Sequence, residues 1–272
     1  MMIVEQMLKN APKPLLHIAD VSGSALFQGD CLNIMPLIPD KSVQLILADL
    51  PYGTTACKWD NILPFDKLWK EYERILTDNG AIVLTASQPF TSALIMSNPK
   101  LFKYEWIWEK SKGCNFTHAK NMPIKFHESI VVFSKAPIGH EIQLGNRRMT
   151  YKPQGLIKVD KKWSRLRKYD TEHNLKRDSH KLSRIIEFEN YPKSILKYGN
   201  SDNRERGLHP TQKPLELMKY LISTYSNEND MVLDNTMGSG TTCLGAKQLN
   251  RKFIGIEKEP KYYEIACQRC GF

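Results

Sequence analysis

The sequence predicts an α/β fold in which a mostly parallel central sheet carries helices on both faces. First, apolar runs of strand length alternate with stretches of helical periodicity along most of the chain. Second, residues 43–48 are largely apolar, which is typical of a strand buried on both faces. Third, a glycine-rich turn at residues 235–240 joins a strand to a helix, as in nucleoside-binding βαβ units.

The composition is that of a globular protein, because the 272 residues are 41% apolar and 10% aromatic. No apolar run reaches the roughly 18 residues that a membrane span needs. Residues 1–20 lack a signal-peptide pattern, which favours a cytoplasmic location. Cys267 and Cys270 have no second cysteine pair at zinc-site spacing, so we expect reduced thiols and no metal.

Turn residues define the elements of the first half. Gly29 ends the first clear strand, Pro51 and Gly53 stop the second, and Gly80 ends a helix. Residues 1–24 carry only weak signals. The predicted strands are 25–27, 43–48, 81–84, 104–108 and 129–133, and the predicted helices are 31–37, 65–76 and a segment through 94–95.

Alternation of helices and strands resumes after residue 206. Pro214 suits the first position of a helix, and Asp234 ends a strand just before the glycine-rich turn. The predicted helices are 215–225, 241–249 and 260–267, and the predicted strands are 231–234 and 252–256.

The segment 136–206 is basic and dotted with aromatic residues. It carries 17 Lys and Arg against 9 Asp and Glu, so it supplies +8 of the net charge of +10. This pattern favours a polyanion, because neutralised phosphates release counterions and rings stack on bases. A solvated surface, or an amphipathic helix with a charged face, stays open as the alternative. The densest cluster comprises Lys161, Lys162, Trp163, Arg165, Arg167 and Lys168.

Asp49, Leu50 and Tyr52 follow a buried strand at the edge where open α/β sheets bind ligands. The Asp49 carboxylate and the Leu50 carbonyl can each accept one N–H of an aromatic amine, and the Tyr52 ring can stack on the heterocycle. Pro51 stops the strand and presents these groups together. An ordinary strand-to-loop turn, in which Asp49 caps and Tyr52 packs, is the alternative.

A second candidate site lies towards the carboxyl end of the chain. Asp234 ends a strand, Gly238 and Gly240 let the backbone approach a ligand, and Glu257 ends the next strand, where it can accept ribose hydroxyls. The third glycine of a dinucleotide site is missing, and Asp234 would repel a pyrophosphate but attract an ammonium. S-adenosylmethionine carries both a cationic amine and a ribose, and therefore fits.

With both sites in place, the chain resembles the amino-group DNA methyltransferases, which modify adenine N6 or cytosine N4. Residues 49–52 resemble their D-P-P-Y catalytic motif, residues 234–242 their D-x-x-x-G-S-G-T-T cofactor motif, and residues 209–214 their H-P-T-Q-K-P stretch. The motif order is that of the β group, whose two halves are circularly exchanged. His127-Glu128 also looks like that group.

Two details of the catalytic motif bear on what the resemblance implies. Leu50 stands where the family usually has proline, which leaves the carbonyl but removes the fixed φ of a proline. Asp49 resembles the first residue of the adenine enzymes, whereas cytosine N4 enzymes tend to carry Ser there. The resemblance therefore implies methylation of adenine N6, on a base taken out of the duplex.

The resemblance also implies a Rossmann-like methyltransferase fold with circularly permuted motifs and a basic inserted recognition segment. It divides the chain into an N-terminal arm (1–24), a catalytic half (25–135), a target-recognition insert (136–206) and an S-adenosylmethionine-binding half (207–272). The catalytic residues it implies are Asp49, Leu50, Pro51 and Tyr52. The cofactor-binding residues it implies are Asp30, His209, Thr211, Gln212, Lys213, Asp234, Thr236, Gly238, Ser239, Gly240, Thr241, Thr242 and Glu257.

The expected partner is double-stranded DNA, in a DNA-associated protein of bacterial or phage type, with a homodimer as the expected assembly. Helix capping is the alternative for Thr211 and Lys213, and packing is the alternative for Trp59. Three other functions stay open: N4-cytosine methylation, methylation of an RNA adenine, and a catalytically silent DNA-binding protein of the same fold. The expected DNA-binding residues are Lys58, Trp59, Lys110, Lys112, Asn115, His118, Lys161, Lys162, Trp163, Arg165, Arg167 and Lys168.

Overall fold

The computed structural model describes residues 3–11, 16–20, 22–54, 60–164, 183–200 and 212–272. The chain divides into two compact units. The first comprises Met1–Lys152 and Ser194–Phe272, and the second comprises Pro153–Lys193.

The first unit is built on a nine-stranded sheet. Seven of its strands run in one direction, and β1 and β6 run against their neighbours. Its strands are β1 (His17–Ala19), β2 (Ala25–Gln28), β3 (Val43–Asp49), β4 (Leu76–Ala86), β5 (Phe102–Cys114), β6 (Lys125–Phe133), β9 (Ile195–Tyr198), β10 (Met231–Asp234) and β11 (Lys252–Glu257), in the spatial order β1-β2-β11-β10-β3-β4-β6-β5-β9.

Helices cover both faces of this sheet, because successive strand residues point to opposite sides. On β3, Ile46 and Ala48 face one apolar core, and Leu45 and Leu47 face the other. The helices packed on the first core are α1 (Ile3–Asn10), α2 (Cys31–Ile34), α3 (Phe65–Ile75) and α4 (Phe90–Ser97), and those on the second are α6 (Leu215–Tyr225), α7 (Thr241–Gln248) and α8 (Pro260–Cys270).

The remaining elements are shorter. The second unit contains an antiparallel pair, β7 (Ile157–Ser164) and β8 (Ser183–Glu189). Helix α5 (Glu141–Leu144) precedes it, and 3₁₀ turns lie at Met35–Leu37, Phe116–His118 and Gly145–Arg147.

The observed architecture confirms the predicted fold class, a mostly parallel α/β sheet between two helical layers. The predicted strands and helices are all present, and β4, β5 and β6 are longer than their apolar patterns indicated. The prediction that Gly80 ends a helix is wrong, because α3 ends at Ile75 and Gly80 lies within β4. Two elements of residues 1–24, α1 and β1, were not predicted. Strand β9 lies within the segment expected to be the insert, yet pairs with β5 in the main sheet.

Sheet topology brings the two candidate sites together. Strands β3 and β10 are parallel neighbours, with Val232 paired to Leu45. Their carboxyl ends, Asp49 and Asp234, therefore lie at the same edge of the sheet. The circular exchange of the two halves leaves these strands far apart in sequence but adjacent in space.

Gly255, on β11, is a strict packing requirement. A Cβ there would lie 2.4 Å from Met237 Sδ and 2.7 Å from both Cys243 Sγ and Leu26 Cδ2. We expect Gly255→Ala to lower the free energy of unfolding by about 1–3 kcal/mol, because overpacking forces neighbours out of their rotamers. Urea denaturation measures this. Gly199→Ala is the matched control, since its nearest atom would be 3.9 Å away, and equal stability of the two variants would contradict the packing argument.

Candidate active site

A cavity of about 850 Å³ opens at the carboxyl edge of the sheet. Ligands of open α/β sheets bind in this position. The cavity joins both predicted sites, since Asp49 and Asp234 each line it. Among its lining residues are the following predicted ones: Asp30, Asp49, Leu50, Pro51, Tyr52, Lys110, Gln212, Lys213, Asp234, Thr236, Gly238, Ser239, Thr241, Thr242 and Glu257.

The Asp49 carboxylate is held by three side chains. Its Oδ1 accepts a hydrogen bond from the Tyr52 hydroxyl at 2.7 Å and another from the Thr85 hydroxyl. Its Oδ2 accepts one from Lys213 Nζ at 2.6 Å. A carboxylate oxygen accepts about two hydrogen bonds. Oδ1 is therefore saturated, and Oδ2 retains room for one further donor.

The backbone beside Asp49 is fixed as well. The Thr236 hydroxyl donates to the Asp49 carbonyl at 3.1 Å, which ties the end of β3 to the turn after β10. The next carbonyl along the chain belongs to Leu50, a residue that is 3% exposed and lines the cavity. Leu50 is thus a residue of the cavity wall, and its carbonyl as the second acceptor stays a prediction.

The Tyr52 ring packs against Phe90, with ring centroids 5.1 Å apart and planes inclined by 25°. Burial, together with the charges of Asp49 and Glu128, raises the pKa of Tyr52 well above its ordinary value of 10.0. The hydroxyl therefore stays a neutral donor to Asp49. Its anchoring orients the ring, and Lys213 Nζ lies 5.6 Å from the ring centroid. Tyr52 lines the cavity, and the stacking of a base on its ring stays a prediction.

A buried charge network surrounds Lys213. Its Nζ also lies 3.5 Å from Glu128 Oε2, and Glu128 Oε1 pairs with Lys110. Burial alone would lower the pKa of Lys213, but the negative charges of Asp49 and Glu128 raise it above its ordinary value. The lysine is therefore a permanent cation, although only 8% of its side chain is exposed.

Asp234 is the buried carboxylate of the other half of the cavity. Its Oδ1 accepts a hydrogen bond from the Thr236 N–H at 3.1 Å. Burial raises the pKa of Asp234 to about 7; hydrogen bonds from Thr242 and Thr236 lower it in part, and the charges of Asp49 and Glu257 raise it further. A cationic ligand would favour the ionised form.

Glu257 is oriented by backbone amides. Its Oε2 accepts from the Gly238 N–H and its Oε1 from the Glu259 N–H, both at 2.8 Å. Burial raises the pKa of Glu257, and these amides offset part of the rise. The Lys258 amide also stabilises the charged carboxylate. Since a carboxylate has about four acceptor positions, Glu257 can still accept from a hydroxyl donor. Asp30, the N-cap of α2, accepts from the Leu32 N–H at 3.0 Å on the same cavity wall.

The two glycines of the cofactor motif have different surroundings. Both adopt positive φ, 51° at Gly238 and 77° at Gly240. Gly238 lines the cavity. A Cβ at Gly240 would instead lie 2.9 Å from Ala266 Cβ, so this glycine allows α7 to pack closely on α8. Its contact with a ligand stays a prediction.

The expected DNA-binding residues fall in three places. Lys112, Asn115 and His118 lie on the hairpin between β5 and β6, outside the cavity lining. Lys161 lies in the second unit, where its Nζ is 2.7 Å from Glu189 Oε1, and the backbones of Lys162 and Trp163 belong to β7. Outside the described residues lie Lys58, Trp59, Arg165, Arg167 and Lys168, together with the cofactor candidates His209 and Thr211.

Sequence reasoning missed several polar residues of the cavity. Thr85 and Ser87 end β4, Lys125 and Glu128 begin β6, and Asn200 follows β9. Only Glu128 had a signal, since His127-Glu128 looked like the β group, but no role was assigned to it. Because β6 runs antiparallel to β4, the start of β6 meets the carboxyl ends of the parallel strands.

The described residues also bear on metal binding and on membrane crossing. Within the described ranges, no group of three or more His, Cys, Asp or Glu side chains could hold a metal ion. No helix in that part of the chain is long and apolar enough to cross a bilayer.

Comparison with known proteins finds a family model that matches this chain and relatives that are similar to it. A family model described as "DNA methylase", for N6 and N4 enzymes, matches residues 43–268. The chain is 28% identical over 262 residues to the type II methyltransferase M1.MboII of Moraxella bovis, a match that covers 89% of this chain and 94% of the relative.

Solved structures support the fold. The complex of M1.HpyAVI with SAM aligns with a TM-score of 0.56 at 24% identity, over 91% of this chain and 98% of that one. The PvuII DNA methyltransferase, named as cytosine-N4-specific, aligns with a TM-score of 0.62 at 17% identity, over 90% and 85%. At such identities these likenesses speak for the architecture alone, and they confirm the predicted Rossmann-like fold.

Proposed function

The chain belongs to the N6/N4 DNA methylase family, and from this premise we propose that it methylates the exocyclic N6 of a flipped adenine in duplex DNA. The family match confirms the resemblance drawn from the motifs and, with it, S-adenosylmethionine as the methyl donor. Similarity to type II methyltransferases supports the expected place in restriction–modification. The choice of adenine is part of the proposal.

The cavity residues fit this cofactor. Asp234 offers a buried carboxylate to an ammonium, and Glu257 offers oxygens to two ribose hydroxyls. Asp30 provides an acceptor on the same wall for the adenine amine of the cofactor. When bound, S-adenosylmethionine supplies an electrophilic methyl group on a sulfonium.

One observation carries the proposal: an exocyclic amine can find two acceptors at the end of β3. Asp49 Oδ2 has a lone pair to spare beside Lys213, and Leu50, which lines the same cavity, offers its carbonyl as the proposed second acceptor. Holding both N–H groups favours a pyramidal nitrogen whose lone pair is free for attack. The Tyr52 ring, anchored through its hydroxyl, is placed to stack on the heterocycle.

Asp49 acts by position and charge in this scheme. The amine nitrogen gains positive charge as its lone pair forms the new N–C bond, while the methyl C–S bond of the sulfonium would break with its electron pair left on sulfur as a neutral thioether. The neighbouring carboxylate stabilises the charge on nitrogen. The extra proton then leaves the nitrogen for water. Lys213 keeps Asp49 in place and balances its charge before the base arrives.

Asp49 supports adenine over cytosine because the adenine enzymes carry Asp at this first motif position.

The expected DNA contacts extend the proposal to Lys110, which lines the cavity, and to Lys112, Asn115 and His118 on the adjacent hairpin. The homodimer and the cytoplasmic location remain predictions.

The deciding experiment is methyl transfer from labelled S-adenosylmethionine to unmethylated duplex DNA, followed by digestion and nucleoside analysis. We expect the label in N6-methyladenine. Label in N4-methylcytosine would overturn the choice of base. A matched RNA duplex tests the nucleic acid, and label confined to RNA would overturn duplex DNA as the substrate.

Cofactor affinity should depend on the protonation of Asp234. With a pKa of about 7, this carboxyl is mostly neutral at pH 5.5 and half ionised at pH 7. The ionised form attracts the cofactor ammonium, so we expect the apparent Kd to fall roughly tenfold from pH 5.5 to 7. This window lies below the α-amino pKa of about 7.7–8.0.

Isothermal titration calorimetry at pH 5.5, 6.2 and 7 measures this effect. Asp234→Asn is the control, which should bind weakly with a flatter pH profile; Glu257, whose pKa burial also raises, supplies the remaining slope. A wild-type Kd that does not change across the window would contradict the assignment of Asp234 to the ammonium.

A further inference from the structure

The hairpin formed by β5 and β6 ends in a strongly basic tip. Residues 110–127 contain four lysines and two histidines and no acidic residue. Of these, Lys112, His118, Lys120 and His127 are exposed. Such a charge favours contact with phosphates.

The same tip exposes large apolar side chains. Phe116 is 74% exposed and Met122 is 52% exposed. Ile124 and Phe126 are less exposed, at 39% and 46%. Both pack on the backbone of Gly113, where a Cβ would lie 2.3 Å from Ile124 Cγ2 and 2.8 Å from Phe126 Cε2. Phe116 is thus exposed to solvent at the end of a hairpin whose stem is packed by its own apolar side chains.

Side-chain amides hold the tip in shape. Asn115, at a φ of 58°, accepts from the Lys125 N–H at 3.0 Å across the hairpin. The Asn200 amide accepts from the Lys112 N–H at 3.1 Å and donates to the Lys112 carbonyl at 2.9 Å. An apolar residue on a fixed loop loses little conformational entropy on binding.

The tip stands at the mouth of the cavity. Lys110, Cys114 and Lys125 line the cavity, and Phe116 follows Cys114 by two residues. When a target base has flipped out of a duplex into the cavity, the position that it vacated therefore lies next to the tip.

We propose that Phe116 is a DNA wedge, which inserts into the duplex at the space vacated by the flipped base while Lys112 and Lys120 contact the flanking phosphates. The proposal rests on the proposed function. Apolar side chains inserted between base steps offset the loss of stacking, which costs a few kcal/mol per step. Phe116 has the size, the exposure and the planar ring for this task.

The test compares Phe116→Ala on two substrates made from the recognition site that sequencing of methylated DNA defines. One is the fully paired duplex, and the other places the target adenine opposite an abasic site, where flipping costs less. We expect kcat/KM to fall roughly tenfold or more on the paired duplex and less than about threefold on the second. Phe116→Trp should restore activity, because it keeps a large ring.

Met96→Ala is the matched control, since Met96 is 71% exposed on α4, and its kcat/KM should stay at the wild-type value. In parallel, 2-aminopurine at the target position should fluoresce on binding to the wild type and much less with Phe116→Ala. Equal losses on the two substrates, or no loss on the paired duplex, would overturn the wedge. Absence of methyl transfer by the wild type would overturn the proposed function and the wedge with it.

Discussion

Replacing Asp49 by alanine should reduce methyl transfer by about a thousandfold or more. The change removes the oxygen that holds one amine N–H and the charge that stabilises the nitrogen as it becomes positive. Thr85, Tyr52 and Lys213 lose their shared acceptor at the same time. Initial rates with labelled cofactor measure the effect.

Asp49→Asn is the informative control. Its amide keeps one oxygen but loses the charge, so we expect an intermediate loss of about ten- to a hundredfold. Both changes leave Asp234 and Glu257 in place, and removal of the Asp49 charge lowers the pKa of Asp234, which favours its ionised form. The Kd for the cofactor should therefore not rise by more than about threefold in either variant. Methyl transfer by Asp49→Ala at near the wild-type rate would show that the amine is held elsewhere.

Lys213→Met should lower kcat by about ten- to a hundredfold. The methionine fills a similar volume but leaves Asp49 and Glu128 without the cation between them. Asp49 then loses the contact that sets the direction of Oδ2, and small misplacements of reacting groups cost about a hundredfold. Steady-state kinetics and calorimetry separate the effects on kcat and on cofactor binding.

Two control variants test this prediction. Lys213→Arg keeps the charge and should recover part of the rate, and thermal unfolding shows whether both proteins are folded. Lys219→Met, on α6, removes a more exposed ion pair with Glu216 at 3.0 Å, away from the cavity lining, and should leave kcat unchanged. If Lys213→Met instead weakened cofactor binding with kcat preserved, Lys213 would belong to the cofactor site, as its motif suggests.

Much of the fold could be predicted from the sequence, because the main signals of strands, helices and turns are local. Buried strands such as residues 43–48 and 231–234 need continuous apolar residues, and their ends are marked by Asp49 and Asp234. Parallel strands present their carboxyl ends at one edge, which is why the two acidic residues line one cavity.

The parts of the site that could not be predicted from the sequence depend on contacts between residues far apart in the chain. Glu128 enters the cavity because β6 runs antiparallel between β4 and β5. Lys213 lies 164 positions from Asp49 and still pairs with it. Neither the direction of a strand nor a partner at that separation leaves a periodic signal in the sequence.

The most direct measurement is a crystal structure with duplex DNA of the recognised sequence and a non-reactive amine analogue of S-adenosylmethionine. We expect the target amine nitrogen at hydrogen-bond distance, about 2.7–3.2 Å, from both Asp49 Oδ2 and the Leu50 carbonyl, with Lys213 still on Oδ2. A flipped base whose amine nitrogen contacts neither acceptor would contradict this expectation.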